Sequence, residues 1–104
     1  MTITSNMISN TSGKAVANQF LINDLNACKI TFQSYSSKIV EIDDSNKTIT
    51  VYPDWDYSRT TGKYRNQFML DCGFDSLATK KGFEKALKAG IATCGIDEYE
   101  VVVA

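Results

Sequence analysis

Residues 27–52 constrain the fold of this chain more than any other stretch. Cys28, Ile30 and Phe32 alternate with Lys29, Thr31 and Gln33, and the alternation resumes over Lys38–Asp43 and Lys47–Tyr52. Side chains along a strand point to opposite faces in turn, so a period of two buries one row and solvates the other. Between the last two runs stands Asp43-Asp44-Ser45-Asn46. Such short polar side chains bond their own backbone and turn the chain. Three antiparallel strands follow, the last two a hairpin with Ile39, Val40, Ile42, Ile49 and Val51 as its apolar contribution. Pro53 cannot donate to a ladder and ends the meander.

Beyond Pro53 the periodicity changes to three or four. Tyr57, Thr61, Tyr64 and Phe68 form a core-facing stripe, and Asp56 or Ser58 can cap a first helix over roughly residues 58–70. Cys72-Gly73 stops it and Asp75 or Ser76 opens a second, ending near Gly90. In that helix Phe83, Ala86 and Leu87 face inward while Lys81, Lys85 and Lys88 share the opposite side, and Gly82 weakens it. Three consecutive valines, Val101–Val103, favour a final strand. Residues 1–14, rich in Ser, Thr and Asn, read as a flexible arm, and residues 15–25 are ambiguous between strand and helical turn. The expected fold class is α+β: a three- to four-stranded antiparallel sheet with two helices packed on one face, in the order β-β-β-α-α-β.

A chain of 104 residues makes a single domain, residues 1–104, with one core. No run approaches the roughly 18 apolar residues of a membrane span, and the N-terminus lacks a signal-peptide pattern. A soluble cytoplasmic protein with no membrane partner is expected. Cys28, Cys72 and Cys94 are too few and too scattered for a disulfide framework or a zinc knuckle, and are expected to be free, mostly buried thiols.

The net charge of −1 hides an uneven distribution. Residues 57–90 hold seven Lys or Arg against three acids, whereas residues 91–104 hold three acids and no base. Residues 1–56 hold four Lys against six acids. The middle is basic and the flanks are acidic.

Histidine is absent, which removes the commonest general base and zinc ligand, and with them Ser-His-Asp and Cys-His catalysis. Ser12-Gly13-Lys14 and Thr61-Gly62-Lys63 lack the spacing of a phosphate loop. The pairs Asp43/Asp44 and Asp54/Asp56 suit turn capping better than acid–base work or cation binding. Cys72 has no basic partner to activate it. The chain reads as non-enzymatic, with no cofactor and no metal.

The most distinctive segments are Phe32-Gln33-Ser34-Tyr35-Ser36-Ser37 and the stretch from Trp55 to Phe68, WDYSRTTGKYRNQF. A strand ending F-x-S-Y, a hairpin, and then W-D-Y-S-x-T-T-x-K-Y-R-x-x-F resembles a family of small uncharacterised bacteriophage and prophage proteins over roughly residues 14–70. The resemblance implies a phage accessory protein acting in the host bacterial cytosol, built on a hairpin and a helix, and carries no activity with it.

Two binding readings follow. A phage-encoded inhibitor would bind a host protein or ribonucleoprotein such as a CRISPR-Cas effector, using acids at Asp43, Asp44, Asp54 and Asp56 against a basic groove. Alternatively, a nucleic-acid-binding module would place Arg59, Lys63 and Arg65, on or near the exposed side of the first helix, against phosphates. In either case Tyr35 and Trp55 are the aromatic anchors. Monomer and homodimer are both open.

Overall fold

The computed structural model describes residues 1–104. Five strands come first: β1 (Thr2–Ile8), β2 (Ala15–Asp24), β3 (Lys29–Ser34), β4 (Ser37–Asp43) and β5 (Thr48–Val51). A 3-10 turn, Pro53–Asp56, leads into α1 (Arg59–Asp71), and a second, Asp75–Leu77, leads into α2 (Lys80–Ala89). The strands β6 (Ile91–Cys94) and β7 (Asp97–Val103) follow.

The α+β class and the two helices agree with the sequence reading, but the sheet does not. It has seven strands in the order β1-β2-β3-β4-β5-β7-β6, and it is mixed, because β7 runs parallel to β5 while every other pair is antiparallel. The expected three- to four-stranded antiparallel sheet is therefore corrected, for three reasons.

The first is the N-terminal arm, which is strand β1, paired along β2 with Met7 only 1% exposed. A ladder is made by backbone groups, so polar side chains do not prevent it. Gln67 of α1 also ties this hairpin down, donating from Nε2 to the Ile8 carbonyl at 2.6 Å and accepting from the Asn10 N–H at 3.2 Å. Second, the ambiguous segment is the ten-residue strand β2, whose alternation is masked by Asn18 at φ 63°. Third, the C-terminal segment doubles back through Gly95, φ 62°, into two strands instead of one. A parallel neighbour needs a long crossover, and residues 52–96 supply it.

Register explains which side chains are buried. Phe32 stands opposite Val40, Val40 opposite Val51, Ile42 opposite Ile49, and Ile49 opposite Val101, so all project from one face. A bulge between Phe32 and Gln33 adds Ile39 to that side, 1% exposed. The helices cover the same face: Phe68 stacks on Phe32 at 5.8 Å between centroids, and Phe74, just after α1, meets Tyr99 edge-on at 4.9 Å. Each such buried large side chain contributes about 1.5–3 kcal/mol.

Ser58 caps α1 by accepting from the Thr61 N–H, and Thr79 caps α2 by accepting from the Gly82 N–H. The second helix thus begins at Lys80, later than Asp75 or Ser76 suggested, because residues 75–77 form their own turn. Gly90, φ 71°, ends it in the left-handed conformation as expected. Phe83 and Ala86 are buried and Lys81, Lys85 and Lys88 exposed, as the helical spacing implied. Tyr57 leaves the expected core stripe; it precedes the helix and is 71% exposed.

All three cysteines are free, but Cys28 is exposed and Cys72 and Cys94 only half-buried, against the expectation of mostly buried thiols. Burial pushes the Cys72 thiol up to about 12, with the nearby Asp71 and Asp44 adding to it. No helix is long and apolar enough to cross a membrane.

Candidate functional site

The two distinctive sequence segments, separated in the chain by the β4–β5 hairpin, meet at the start of α1. From β3, Ser34 reaches Thr61 of α1, hydroxyl to hydroxyl at 2.9 Å. Ser58 donates to the same Thr61 hydroxyl at 3.2 Å while capping the helix. Thr61 and Ser34 are buried, so this pair fixes the β3–β4 turn against the helix terminus. Tyr35 sits in that turn at φ 56°, its N–H donating to the Asn18 carbonyl at 2.7 Å and its carbonyl accepting from Gln33 Nε2 at 2.7 Å. The turn is held from both sides, leaving the Tyr35 ring 53% exposed.

Above the Ser34–Thr61 contact lies a cleft of about 540 Å³, lined by Ser34, Tyr35, Ser36, Ser37, Ile39, Tyr57, Ser58, Thr60 and Thr61. Ile39 is the one lining residue without a hydroxyl. Around the helix terminus, and sharing Ser58, lies a second cleft of about 470 Å³ with Arg59, Gly62, Lys63, Arg65 and Lys80 against the single acid Asp56. A helix N-terminus adds unpaired N–H groups and a partial positive charge on that side.

Arg65 is not on the exposed side, as its place in a basic segment suggested; it is 1% exposed. Its guanidinium lies 5.3 Å from the Trp55 ring and 5.0 Å from Phe83, and these two rings stack on each other at 5.2 Å. It donates to the Trp55 carbonyl at 2.9 Å and to Asn66 Oδ1 at 3.0 Å, and approaches Asp56 at 3.7 Å. Burial pulls its pKa below the usual arginine value while Asp56 opposes the fall. Its Nε–H is buried and has no acceptor. Trp55 is half-buried in this stack and so works as a structural anchor, and Asp56 also pairs with Lys80 at 2.9 Å.

The remaining candidates lie elsewhere. Asp43 and Asp44 sit beyond the opposite end of β4 from Tyr35, roughly 20 Å away at the strand rise of about 3.3 Å per residue. Asp43 is buried and accepts from the Ser45 N–H, the Asn46 N–H and Asn46 Nδ2, all within 3.0 Å. The Asn46 amide, ahead of the backbone donors and Lys29, holds its carboxyl below the ordinary value. Asp44 accepts from the Tyr99 hydroxyl at 2.8 Å. Asp54 is exposed, as are Arg59 and Lys63.

Of the nine candidates, Tyr35, Arg59, Lys63 and Arg65, with Asp56, therefore line the two clefts, and Asp43 and Asp44 do not. The residues missed were the hydroxyls Ser34, Ser36, Ser37, Ser58, Thr60 and Thr61, together with Tyr57 and Lys80. The signal was present as the repeated Ser and Thr of both distinctive segments, but hydroxyls in turns and helix starts read as caps. No group of three or more Cys, Asp or Glu side chains converges in a way that would hold a metal ion.

Residues 3–85 match the model of a family of unknown function, DUF8033. No curated protein and no solved structure matches the chain.

Proposed function

We propose that this chain, which belongs to the family of unknown function DUF8033, is a non-catalytic module that binds single-stranded nucleic acid at the N-terminal end of α1. One juxtaposition carries the reading: exposed Tyr35 and Tyr57 border an uncharged cleft that shares Ser58 with a cleft bearing Arg59, Lys63 and Lys80. Aromatic platforms beside a cationic track are the elements that bind single strands, stacking serving the bases and cations the backbone. Arg65, buried against Trp55 and Phe83, fixes the wall of that cationic cleft.

Fluorescence anisotropy with short labelled homopolymers tests this. Affinity should fall as salt rises, with a slope of about −1.4 on logarithmic axes for two phosphate contacts, at Arg59 and Lys63. Tyr57→Ala should weaken binding by about 1–3 kcal/mol, the range for one stacked base. Absence of salt-dependent binding to every homopolymer at low salt would sink the proposal.

A second reading rests on Asp54, Glu98 and Glu100, which are exposed and form no ion pair. It is a phage-encoded inhibitor engaging the basic groove of a host defence complex such as a CRISPR-Cas effector. Asp43, Asp44 and Asp56 support it less, because turn donors, Tyr99 and Lys80 already engage them. Capture of a stoichiometric defence complex from a nuclease-treated bacterial lysate would favour this reading over the first.

A further inference from the structure

We propose that the hydroxyl-lined cleft reads the sugar, so that the single strand bound at α1 is RNA in preference to DNA; this rests on the nucleic-acid reading above. The cleft has an inner and an outer layer. Ser34 and Ser58 each bond the Thr61 hydroxyl, and buried Ser34 and Thr61 form its floor. Ser36, Ser37 and Thr60, with the phenols of Tyr35 and Tyr57, make no hydrogen bond within the protein.

Each of these outer hydroxyls offers one donor and two lone pairs and rotates to suit its partner. The 2′-hydroxyl of ribose is likewise donor and acceptor, and it is the group by which proteins separate RNA from DNA. A set of rotatable hydroxyls complements it in either sense.

The lining contains neither a cation nor a carboxylate, so phosphate and divalent metal have no counter-charge there. Those charges lie across Ser58, at Arg59, Lys63 and Lys80. This division assigns nucleoside to one side of the helix start and backbone phosphate to the other. A volume of about 540 Å³ suits one nucleotide, within the roughly 300–1,000 Å³ of small-ligand sites.

The test uses the full chain with labelled RNA and DNA of identical sequence. RNA should bind at least about fivefold more tightly, which two hydrogen bonds of ordinary net strength readily supply. Thr60→Val and Ser37→Ala should each reduce that preference by about threefold, by weakening RNA binding more than DNA binding. Arg59→Ala should weaken both polymers alike. Both altered hydroxyls lie outside the bonded set, and thermal melts of the variants check that they fold.

Equal binding of RNA and DNA would overturn the inference while leaving nucleic-acid binding intact. A free ribonucleoside monophosphate binding as tightly as the RNA would overturn it in favour of a small-molecule site. Failure of both polymers to bind would remove the inference together with the reading beneath it.

Discussion

Arg65 shows what a single residue can do against its chemical type. A guanidinium removed from water must find ring faces and acceptors, and here Trp55, Phe83, Asn66 and Asp56 provide them from three separate elements. Arg65→Ala should lower unfolding free energy by about 2–4 kcal/mol in urea titrations, from a cavity between two rings and a lost charge-assisted hydrogen bond. Arg65→Lys should recover less than half, because an ammonium lacks the planar fork that lies over both rings while reaching the Trp55 carbonyl. Full recovery by lysine would contradict this account. In sequence, Arg65 sits in a basic segment and reads as surface; nothing within one helical turn signals Trp55 or Phe83. Asp43, by contrast, was legible as a turn cap, because its partners Ser45 and Asn46 lie within three residues. Its folded-state pKa is lowered, so its contribution to stability is present at neutral pH and is lost as pH falls below the ordinary 3.8 and through the native value. Asp43→Ala should therefore lower the melting temperature at pH 7, and its deficit relative to the wild type should shrink on acidification below 3.8. A deficit independent of pH would assign the role of Asp43 to packing alone.

At the scale of elements, α2 separates propensity from packing. Glycine inside a helix normally costs about 1 kcal/mol relative to alanine, so Gly82→Ala would be expected to stabilise an isolated α2. In the folded chain a Cβ at that position would lie 1.8 Å from the Ser76 carbonyl oxygen, which is backbone and cannot rotate away. Gly82→Ala should therefore destabilise the protein by more than about 2 kcal/mol, the order of cost for forced overpacking. Chemical denaturation of the variant checks the sign, and a gain in stability would mean that the 75–77 turn shifts freely. The helices themselves were readable because caps and apolar spacing act within a turn or two, as at Ser58, Thr61 and Phe68. The strands β1 and β2 were not, because their burial depends on partners: Met7 and Gln19 are buried although their neighbours are mostly polar. The same holds for the binding clefts, whose hydroxyls take on their arrangement only when β3 meets α1.

For the whole molecule, the decisive strand is β7, which joins β5 on one side to β6 on the other. Its removal would leave β6 without a partner and expose Ile49 and Val51 together with the ring of Phe74. Deleting residues 97–104 should abolish the cooperative thermal transition followed by near-ultraviolet circular dichroism. A retained sharp transition would show that the antiparallel half of the sheet folds alone. The sequence by itself determined the α+β class, the strands from residue 29 to 51, the hairpin turn at Asp43, the position of α1 and the end of α2. Those features rest on alternation, turn chemistry and caps, which act between residues close in the chain. Only the tertiary structure decided the recruitment of β1 and β2, the parallel pairing of β7 with β5, the burial of Arg65 and the placement of Tyr35 and Tyr57 on one cleft. Each of these joins residues distant in sequence, and their pairing is selected by which surfaces exclude water together, a property that no local pattern carries.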